Sequence, residues 1–384
     1  MSGLGIMSYM LQVPRIGGGN LDDLFQEAVK VVVQYDRASS ALLQRRLSIG
    51  YARAARIMDQ LEVSGVVSQT DGSIARTVLV SSYEEFLEKG GNKPDFPQTD
   101  PFKGSDKYKV PTDFKLSKVE NTTNKQLADV IKTKEFKSLG NEYPIALGYD
   151  DKDKLHITTL PKLGNLIITG NPQSTKQNWL DTILSAFLLN YKPKELRLIP
   201  IDQTRYLDLY DGIPHLLCPV ISDFEKGIAA LRWTTYEMQR RMNLLAKAGT
   251  RTLDSYNKLA DVEALPRVLV IYSREWADVE STASLTSIAS SGLRAGIHLF
   301  IIANRMSEKN LSIDVKSNVP NRAVFTVTSD QDSRLAGVRG AESLTQGQML
   351  FKISNSDPIK LSSIFTPEIN VQEVVHAIKE AKQH

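Results

Sequence analysis

The chain has 384 residues, 41% of them hydrophobic and 24% charged, with one cysteine and a formal net charge of +3. These values are typical of a globular protein of two or three domains, and they exclude a disulfide scaffold. No apolar run approaches the roughly 20 residues of a membrane span, and a lone cysteine fits a reducing compartment, so we expect a cytoplasmic protein without a membrane partner. The small net charge does not by itself indicate nucleic-acid binding, which depends on where the charges lie.

Composition along the chain indicates four segments. Residues 1–20 end in "GGGN" and are interpreted as a flexible leader. Residues 88–117 contain four prolines among Gly, Asp and Lys and are interpreted as a linker. Between them, residues 21–87 predict a small helical domain, and residues 118–384 predict a larger α/β domain.

Helical periodicity dominates the small domain. One amphipathic helix is predicted in "LDDLFQEAVKVVVQYD", and a second in "SSALLQRRLSI" with Ser39 or Ser40 as its N-cap. A turn at Gly50 leads to a third helix, "YARAARIMDQLEVSG", which stops at Gly65. "VVSQTD" and "ARTVLVS" then flank a turn at residues 71–73 and predict a hairpin. Two helices joined by a short turn and followed by a hairpin form a winged helix-turn-helix.

The second helix of such a motif enters the major groove of DNA, and arginine suits both phosphates and guanine edges. Ala52, Arg56 and Asp59 share one face of that helix because their spacing is i, i+4 and i+7. The predicted DNA-contacting set is Arg45, Arg46, Ala52, Arg53, Arg56, Asp59 and Arg76. Winged helices also serve as protein-binding modules with solvated arginines, so that alternative stays open.

In the larger domain, short apolar runs alternate with helical segments, which predicts a parallel sheet with crossover helices. One run opens "NLIITGNPQSTKQ", where Gly170 and Lys176 have the spacing of the phosphate-binding motif G-x-x-x-x-G-K-[ST]. Thr175 stands at the second glycine and Gln177 at the hydroxyl position. We expect a helix to start close behind Lys176.

The small domain closely resembles the gamma domain of the FtsK/SpoIIIE family of bacterial DNA translocases, over the stretch "LLQRRLSIGYARAARIMDQLE". This resemblance implies binding of double-stranded DNA at short oriented sequences, with base contacts on the Ala52, Arg56 and Asp59 face. It also implies a Xer-type recombinase as a partner. Many members have Asn where this chain has Ala52, which leaves its preferred DNA sequence open.

The larger domain resembles the RecA-like motor of the same family. The segments that carry this resemblance are "YDGIPHLLCPVISDFEKGIAALRWTTYEMQRRMNLLAKAGTRTLDSYN", "GLRAGIHLFIIANR", "NVPNRAVFTVTSDQDSRL" and "GAESLTQGQMLF". Family motors form hexameric rings and usually precede the gamma domain, whereas here the gamma-like segment comes first. The nucleotide positions implied by the resemblance are Gly170, Thr175, Lys176, Gln177, Arg274 and Asn304.

Four of those positions depart from the family pattern. Thr175 resists the positive φ of a glycine, and Gln177 lacks the hydroxyl that ligates Mg²⁺. Arg274 stands where the resemblance implies the Asp that holds Mg²⁺, and Asn304 replaces a Gln. We therefore expect a degraded site in which Glu275 is a vestigial catalytic residue. ATP binding without efficient hydrolysis stays open, and no metal ligand set is predicted, because the histidines lack metal spacing with Cys218.

Three functions are compatible with these features. The first is a sequence-directed DNA-binding protein with an inactive motor, acting as a pseudo-translocase or accessory in chromosome segregation. The second is an ATP-dependent translocase with an atypical site, and the third is an adaptor for a translocase ring or a Xer-type recombinase. A homo-oligomer is also open, with candidate interface arginines at Arg240, Arg241, Arg322 and Arg334, although surface ion pairs are their commoner use.

Overall fold

A computed structural model describes Asp22 and Leu116 and the ranges 24–64, 66–68, 76–82, 125–140, 142–273, 278–307 and 310–381. The described residues form two compact units, separated near residue 100. We call residues 22–82 the winged-helix unit and residues 116–381 the motor-like unit. The predicted leader and all of the predicted linker except Leu116 lie outside the described residues.

The described residues of the winged-helix unit form three helices: α1 (Phe25–Tyr35), α2 (Ser40–Leu47) and α3 (Tyr51–Val63). The Ser39 hydroxyl accepts a hydrogen bond from the amide of Leu42 and caps α2, which decides between the two predicted caps. The left-handed residue between α2 and α3 is Ser48, at φ 55°. Gly50 is extended and is the N-cap of α3, so the turn predicted at Gly50 is centred two residues earlier.

A small antiparallel sheet follows the helices. Val67 pairs with Val78, and Ala38, which precedes α2, pairs with Arg76. The predicted hairpin is therefore present, although its tip lies outside the described residues, and Ala38 adds a third segment that the sequence did not indicate. Short helices such as α2 are marginal in isolation. Burial of residues including Val29, Leu43 and Ile57 in a common core stabilises them.

The described residues of the motor-like unit form nine strands: β1 (Pro144–Tyr149), β2 (Leu155–Thr159), β3 (Leu166–Thr169), β4 (Leu196–Asp202), β5 (Arg267–Ser273), β6 (Ile297–Ala303), β7 (Arg322–Val324), β8 (Gln348–Lys352) and β9 (Ile359–Ser362). Its helices are α4 (Leu127–Val130), α5 (Lys134–Ser138), α6 (Leu160–Leu163), α7 (Gln173–Asn190), α8 (Phe224–Lys247), α9 (Leu253–Tyr256), α10 (Val279–Ser291), α11 (Ile313–Asn318), α12 (Asp330–Leu335) and α13 (Glu368–Glu380). Three single 3₁₀ turns cover Tyr206–Tyr210, Gly292–Ala295 and Ala341–Ser343.

The nine strands form one sheet in the order β2-β1-β9-β8-β7-β3-β6-β5-β4. Strands β7, β3, β6, β5 and β4 are parallel, as the alternating pattern predicts. The other half, from β7 through β8, β9 and β1 to β2, is antiparallel and was not anticipated. The sheet is therefore mixed. Its parallel strands β3 to β6 are buried throughout, as expected where helices cover both faces.

Helix α7 follows β3 and lies in the centre of the apolar core. Trp179 and Phe187 on α7 are almost fully buried there, and Leu116, from within the predicted linker, packs into the same core. This placement fixes the N-terminus of α7 at the carboxyl edge of the parallel strands, where α/β proteins bind ligands. Among the described helices, none combines the length and apolar character needed to cross a membrane.

Candidate functional site

The segment that follows β3 keeps one feature of a phosphate-binding loop. Gly170 has φ +108°, a conformation that favours glycine, and a Cβ there would lie 2.7 Å from backbone atoms of Phe325. The amide of Asn171 donates to the carbonyl of Thr326 at 2.6 Å. The glycine therefore allows the chain to run against the segment that continues β7, and the Asn171 amide is already occupied.

The rest of that segment is helical. Helix α7 begins at Gln173 with Pro172 as its N-cap, three residues before Lys176, so the expectation of a helix starting behind Lys176 is wrong. A phosphate nest requires successive amides that point into one concavity. Here Pro172 has no amide hydrogen, and the amide of Thr175 donates to the carbonyl of Pro172 at 3.2 Å. Thr175 and Gln177 lie in the first turns of an ordinary helix.

Lys176 is 1% exposed and points into the protein. Its Nζ donates to Oδ1 of Asn304 at 2.7 Å and to the carbonyl of Ala303 at 3.2 Å. Both acceptors stand at the carboxyl end of β6, the parallel neighbour of β3. The structure thus brings together the lysine and the asparagine that sequence reasoning assigned to the nucleotide site, and it joins them directly.

Two cavities flank this pair. The smaller, about 140 Å³, is lined by Asn171 and Asn304 among others and is below the roughly 300–1,000 Å³ of typical ligand pockets. The larger, about 1030 Å³, is lined by Thr175 and Gln177 from α7. The remaining residues of its wall are mostly neutral and polar, together with the acids Asp181 and Glu368 and one arginine, Arg205.

Asp181 is a buried carboxylate in the wall of the larger cavity. It accepts hydrogen bonds from the hydroxyls of Tyr206 and Tyr210, the latter at 2.7 Å. Burial raises the pKa of Asp181 to about 6, although both tyrosine hydroxyls favour the charged form. The cation on this wall, Arg205, is exposed and pairs with Asp208 at 2.9 Å. The electrostatics of this wall therefore do not favour a polyphosphate.

Strand β5 ends at Ser273, directly before the position where the family resemblance implies a Mg²⁺-binding Asp. Arg274 and Glu275 lie just beyond it and outside the described residues, so their assignments stay predictions. Asp202, at the end of the neighbouring β4, is buried and accepts hydrogen bonds from the Thr204 amide, the Thr204 hydroxyl and the Leu207 amide. Within the described ranges, no group of three or more His, Cys, Asp or Glu residues is placed to hold a metal ion.

The winged-helix unit presents the predicted face on α3. Ala52, Arg56 and Asp59 are all exposed on this helix, which is the second of the helix-turn-helix. Tyr51, the first residue of α3, is 69% exposed, and sequence reasoning missed it as a candidate contact. An aromatic residue at the first position of the helix predicted to enter the major groove was the available signal. On α2, Arg45 and Arg46 are exposed, and the guanidinium of Arg46 lies 4.4 Å from the ring centroid of Tyr35.

The other two predicted contacts are engaged inside the unit. Arg53 makes a two-point ion pair with Asp22, with both donor–acceptor distances at or below 2.7 Å. Arg76 donates to the carbonyl of Met58 at 3.1 Å and pairs with Glu62 at 2.6 Å and with Asp59 at 3.3 Å. Arg76 therefore ties the hairpin to α3, and its side chain is only 15% exposed.

The candidate interface arginines also divide into side chains that are engaged inside the unit and one that is mostly exposed. Arg241 is fully buried and donates to Glu237 and to the carbonyls of Pro266 and Ala295. Arg322 is also buried, and Arg240 pairs with Glu237 at 2.6 Å. Only the fourth of these arginines, Arg334, has a mostly exposed side chain, and it pairs with Asp330 one turn earlier.

Comparison with known proteins gives consistent matches to both units. A sequence model of the FtsK/SpoIIIE family matches residues 126–347, and a model of the Ftsk gamma domain matches residues 19–81. Curated relatives called DNA translocase FtsK include one from Caldanaerobacter subterraneus, 35% identical over 68% of this chain, and one from Clostridium tetani, 33% identical over 66%. The aligned regions span 38% and 36% of those relatives.

Solved structures share the fold at lower identity. The cytoplasmic domain of the type VII secretion ATPase EccC from Thermomonospora curvata superposes with a TM-score of 0.54 at 18% identity, covering 64% of this chain and 31% of that one. The pCW3 conjugation coupling protein TcpA, a monomer form with ATPγS, superposes with a TM-score of 0.52 at 15% identity, covering 85% and 86%. The family match covers more than half of the chain, and this protein belongs to the FtsK/SpoIIIE family of DNA translocases, with a gamma domain ahead of its motor-like unit.

Proposed function

We propose that this chain is a sequence-directed double-stranded DNA-binding protein whose motor-like unit does not hydrolyse ATP efficiently. It would act beside an active translocase, as an accessory or pseudo-translocase in DNA translocation or chromosome segregation. The observation that carries the proposal is the burial of Lys176 against Asn304, because a lysine held by these acceptors is not available to neutralise a β- or γ-phosphate.

The helical geometry around Lys176 supports the same proposal. Phosphoryl transfer depends almost entirely on positioning and on charge stabilisation by Mg²⁺, Lys and backbone amides. With α7 starting at Gln173, the Thr175 amide has an intrahelical partner, and Gln177 brings an amide side chain to the hydroxyl position. Rebuilding the nest would require the first turn of α7 to unwind and Lys176 to leave its two acceptors.

DNA recognition is proposed for the exposed face of α3. Arg56 is exposed at its centre, next to Ala52, and a guanidinium there reaches a guanine edge or a phosphate. Because Arg53 and Arg76 are paired with acids, we assign the principal DNA contacts to Arg45, Arg46 and Arg56. The proposed partners of the motor-like unit are an FtsK-type ring or further copies of this chain.

Two experiments test the proposal separately. In the first, the full chain is titrated with double-stranded DNA at several salt concentrations, for wild type, Arg56→Ala and the control Arg251→Ala, an exposed arginine of the motor-like unit. We expect salt-dependent binding that falls about tenfold or more in Arg56→Ala only. Equal, salt-insensitive binding by all three would favour the alternative of an adaptor that binds a Xer-type recombinase.

The second experiment concerns the nucleotide. Binding of ATP at a hundredfold excess over its Kd would add about 2.7 kcal/mol to the free energy of unfolding, so thermal unfolding with millimolar MgATP is a sensitive assay. We expect no stabilisation and no DNA-stimulated phosphate release. The alternative, a translocase with an atypical site, is favoured by the size of the 1030 Å³ cavity. Mg²⁺-dependent stabilisation with DNA-stimulated turnover would establish that alternative.

A further inference from the structure

The guanidinium of Arg53 is held by a carboxylate from outside its own helix. Nε of Arg53 donates to Oδ2 of Asp22 at 2.7 Å, and Nη2 donates to Oδ1 at 2.6 Å. Such a parallel two-point pair is among the strongest charge-assisted arrangements available to arginine. The Arg53 side chain is 38% exposed and that of Asp22 is 12% exposed, so the pair lies at the edge of the solvent-facing surface of α3.

Asp22 is itself fixed in place. Its amide donates to Oε1 of Gln60 on α3 at 3.0 Å, and its Oδ1 accepts from the amide of Leu24 at 3.0 Å. The hydrogen bonds from Arg53 are the largest cause that lowers the pKa of Asp22, so the carboxylate stays ionised at neutral pH. A carboxylate anchored at both its backbone and its side chain is a rigid partner rather than a mobile surface charge.

The same carboxylate acts on the residue proposed to read DNA. The positive charge of Arg56, about one turn after Arg53, also lowers the pKa of Asp22, so the two groups lie within electrostatic range of each other. A DNA phosphate that approached Arg53 would have to displace Asp22 and would meet its negative charge. Phosphate contacts of this kind supply affinity without sequence information.

We propose that Asp22 is a specificity-determining residue that withholds Arg53 from DNA phosphates, so that α3 binds through Arg56 and its neighbours rather than through general charge. This inference rests on the proposed DNA binding of the winged-helix unit. Each phosphate neutralised steepens the dependence of log K on log salt by about 0.9 for duplex DNA. Removal of the Asp22 charge should allow Arg53 to neutralise one additional phosphate.

The test compares the full chain with Asp22→Asn, Arg53→Gln and Asp22→Asn/Arg53→Gln. The control is Asp36→Asn, which removes one exposed carboxylate of the same unit at a left-handed position that asparagine tolerates. The probes are a random-sequence 30-base-pair duplex pool and the duplex pool enriched from it by selection on the wild-type chain. Dissociation constants are measured between 50 and 200 mM salt, in steps.

For Asp22→Asn we expect random duplex to bind about five- to tenfold tighter at low salt, with a salt slope steeper by about one and a smaller preference for the enriched pool. Arg53→Gln should keep the wild-type slope, and the double variant should return to it. The control should leave the preference unchanged. A purely structural role of the pair would instead weaken binding to both pools in Asp22→Asn.

Two results would overturn the inference and are distinguishable from failure of DNA binding itself. One is an Arg53→Gln slope shallower by about one, since this would mean that Arg53 already contacts a phosphate in the wild type. The other is an Asp22→Asn variant with unchanged slope and preference. Failure of the proposed function has another signature, since the wild-type chain would then bind neither pool at 50 mM salt.

Discussion

Lys176 and Asn304 are joined by a 2.7 Å hydrogen bond between Nζ and Oδ1, across the carboxyl ends of the neighbouring strands β3 and β6. In an active P-loop enzyme the lysine at this position binds the β- and γ-phosphates of the nucleotide. Here the lysine instead links α7 to the end of β6, and its ammonium is nearly inaccessible to solvent. The lysine is thus part of the protein's interior, and the contribution of the pair should be measurable as stability.

Substituting Lys176 by Met should therefore lower the free energy of unfolding by about 1–3 kcal/mol in the absence of nucleotide, because the buried Ala303 carbonyl and the half-buried Asn304 side chain lose a charged donor. Urea denaturation of Lys176→Met, Asn304→Ala and the double variant should give a coupling energy of at least about 0.5 kcal/mol. Lys162→Met, at a lysine whose side chain is 70% exposed, is the control and should be nearly neutral. A coupling of zero would mean that the lysine points elsewhere in solution.

Gly170 should tolerate no side chain. An added Cβ would meet backbone carbonyl atoms of Phe325 and Thr326 at 2.7–2.9 Å while the residue is held at φ +108°. We expect Gly170→Ala to cost more than about 3 kcal/mol or to prevent folding of the motor-like unit.

Gly337→Ala is the matched control for that substitution. Gly337 also has a positive φ, +79°, but nothing lies within 4 Å of the position that a Cβ would occupy, so only the conformational strain of about 1–2 kcal/mol applies. Thermal unfolding followed by circular dichroism should separate the two variants. Equal losses in both would show that the close approach to the segment that continues β7 is not maintained.

The stability of the motor-like unit should depend on pH through Asp181. Because its pKa is raised from 3.8 to about 6, the folded protein holds this proton more tightly than the unfolded chain. The free energy of unfolding should therefore fall as pH rises from about 4 to about 6, by about 2 kcal/mol from this group over that interval, and level off above about pH 7. Asp181→Asn should lack this component.

Urea titrations of wild type and Asp181→Asn between pH 4 and pH 7 measure that difference directly. Asp151→Asn, at an exposed aspartate in the turn between β1 and β2, provides the control and should follow the wild-type curve. Parallel curves for wild type and Asp181→Asn would show that Asp181 titrates near its ordinary value.

Among the four candidate interface arginines, Arg241 should contribute most to folding and Arg334 least. Arg241→Ala leaves Glu237 buried with one ion-pair partner fewer and removes donors to two carbonyls, which should cost about 3–5 kcal/mol. Arg334→Ala removes an exposed pair with Asp330 and should cost less than about 0.5 kcal/mol. Denaturant midpoints of the two variants provide the comparison, and a small loss for Arg241→Ala would contradict the buried network.

The sequence by itself determined the helices of the winged-helix unit, the parallel strands of the motor-like unit and the family to which both units belong. The period of the apolar residues predicted α1 to α3, and the continuous apolar runs predicted the parallel strands, because burial of one or both faces imposes those patterns. The spacing of Ala52, Arg56 and Asp59 was enough to place all three on one exposed face of α3. Which residues share a face of a helix follows from local periodicity alone and does not depend on the residues packed against them across the core.

Only the tertiary structure decided what the charged residues do. Arg53 pairs with a residue 31 positions away in the chain, Arg76 with residues 14 to 18 positions away, and Lys176 with a residue 128 positions away. No local pattern encodes such pairings. The early start of α7 could not be predicted either, because the same residues are compatible with a degenerate P-loop and with the first turn of a helix. The antiparallel half of the sheet was missed for the same reason, since short strands such as β9 become recognisable only through the strands that they pair with.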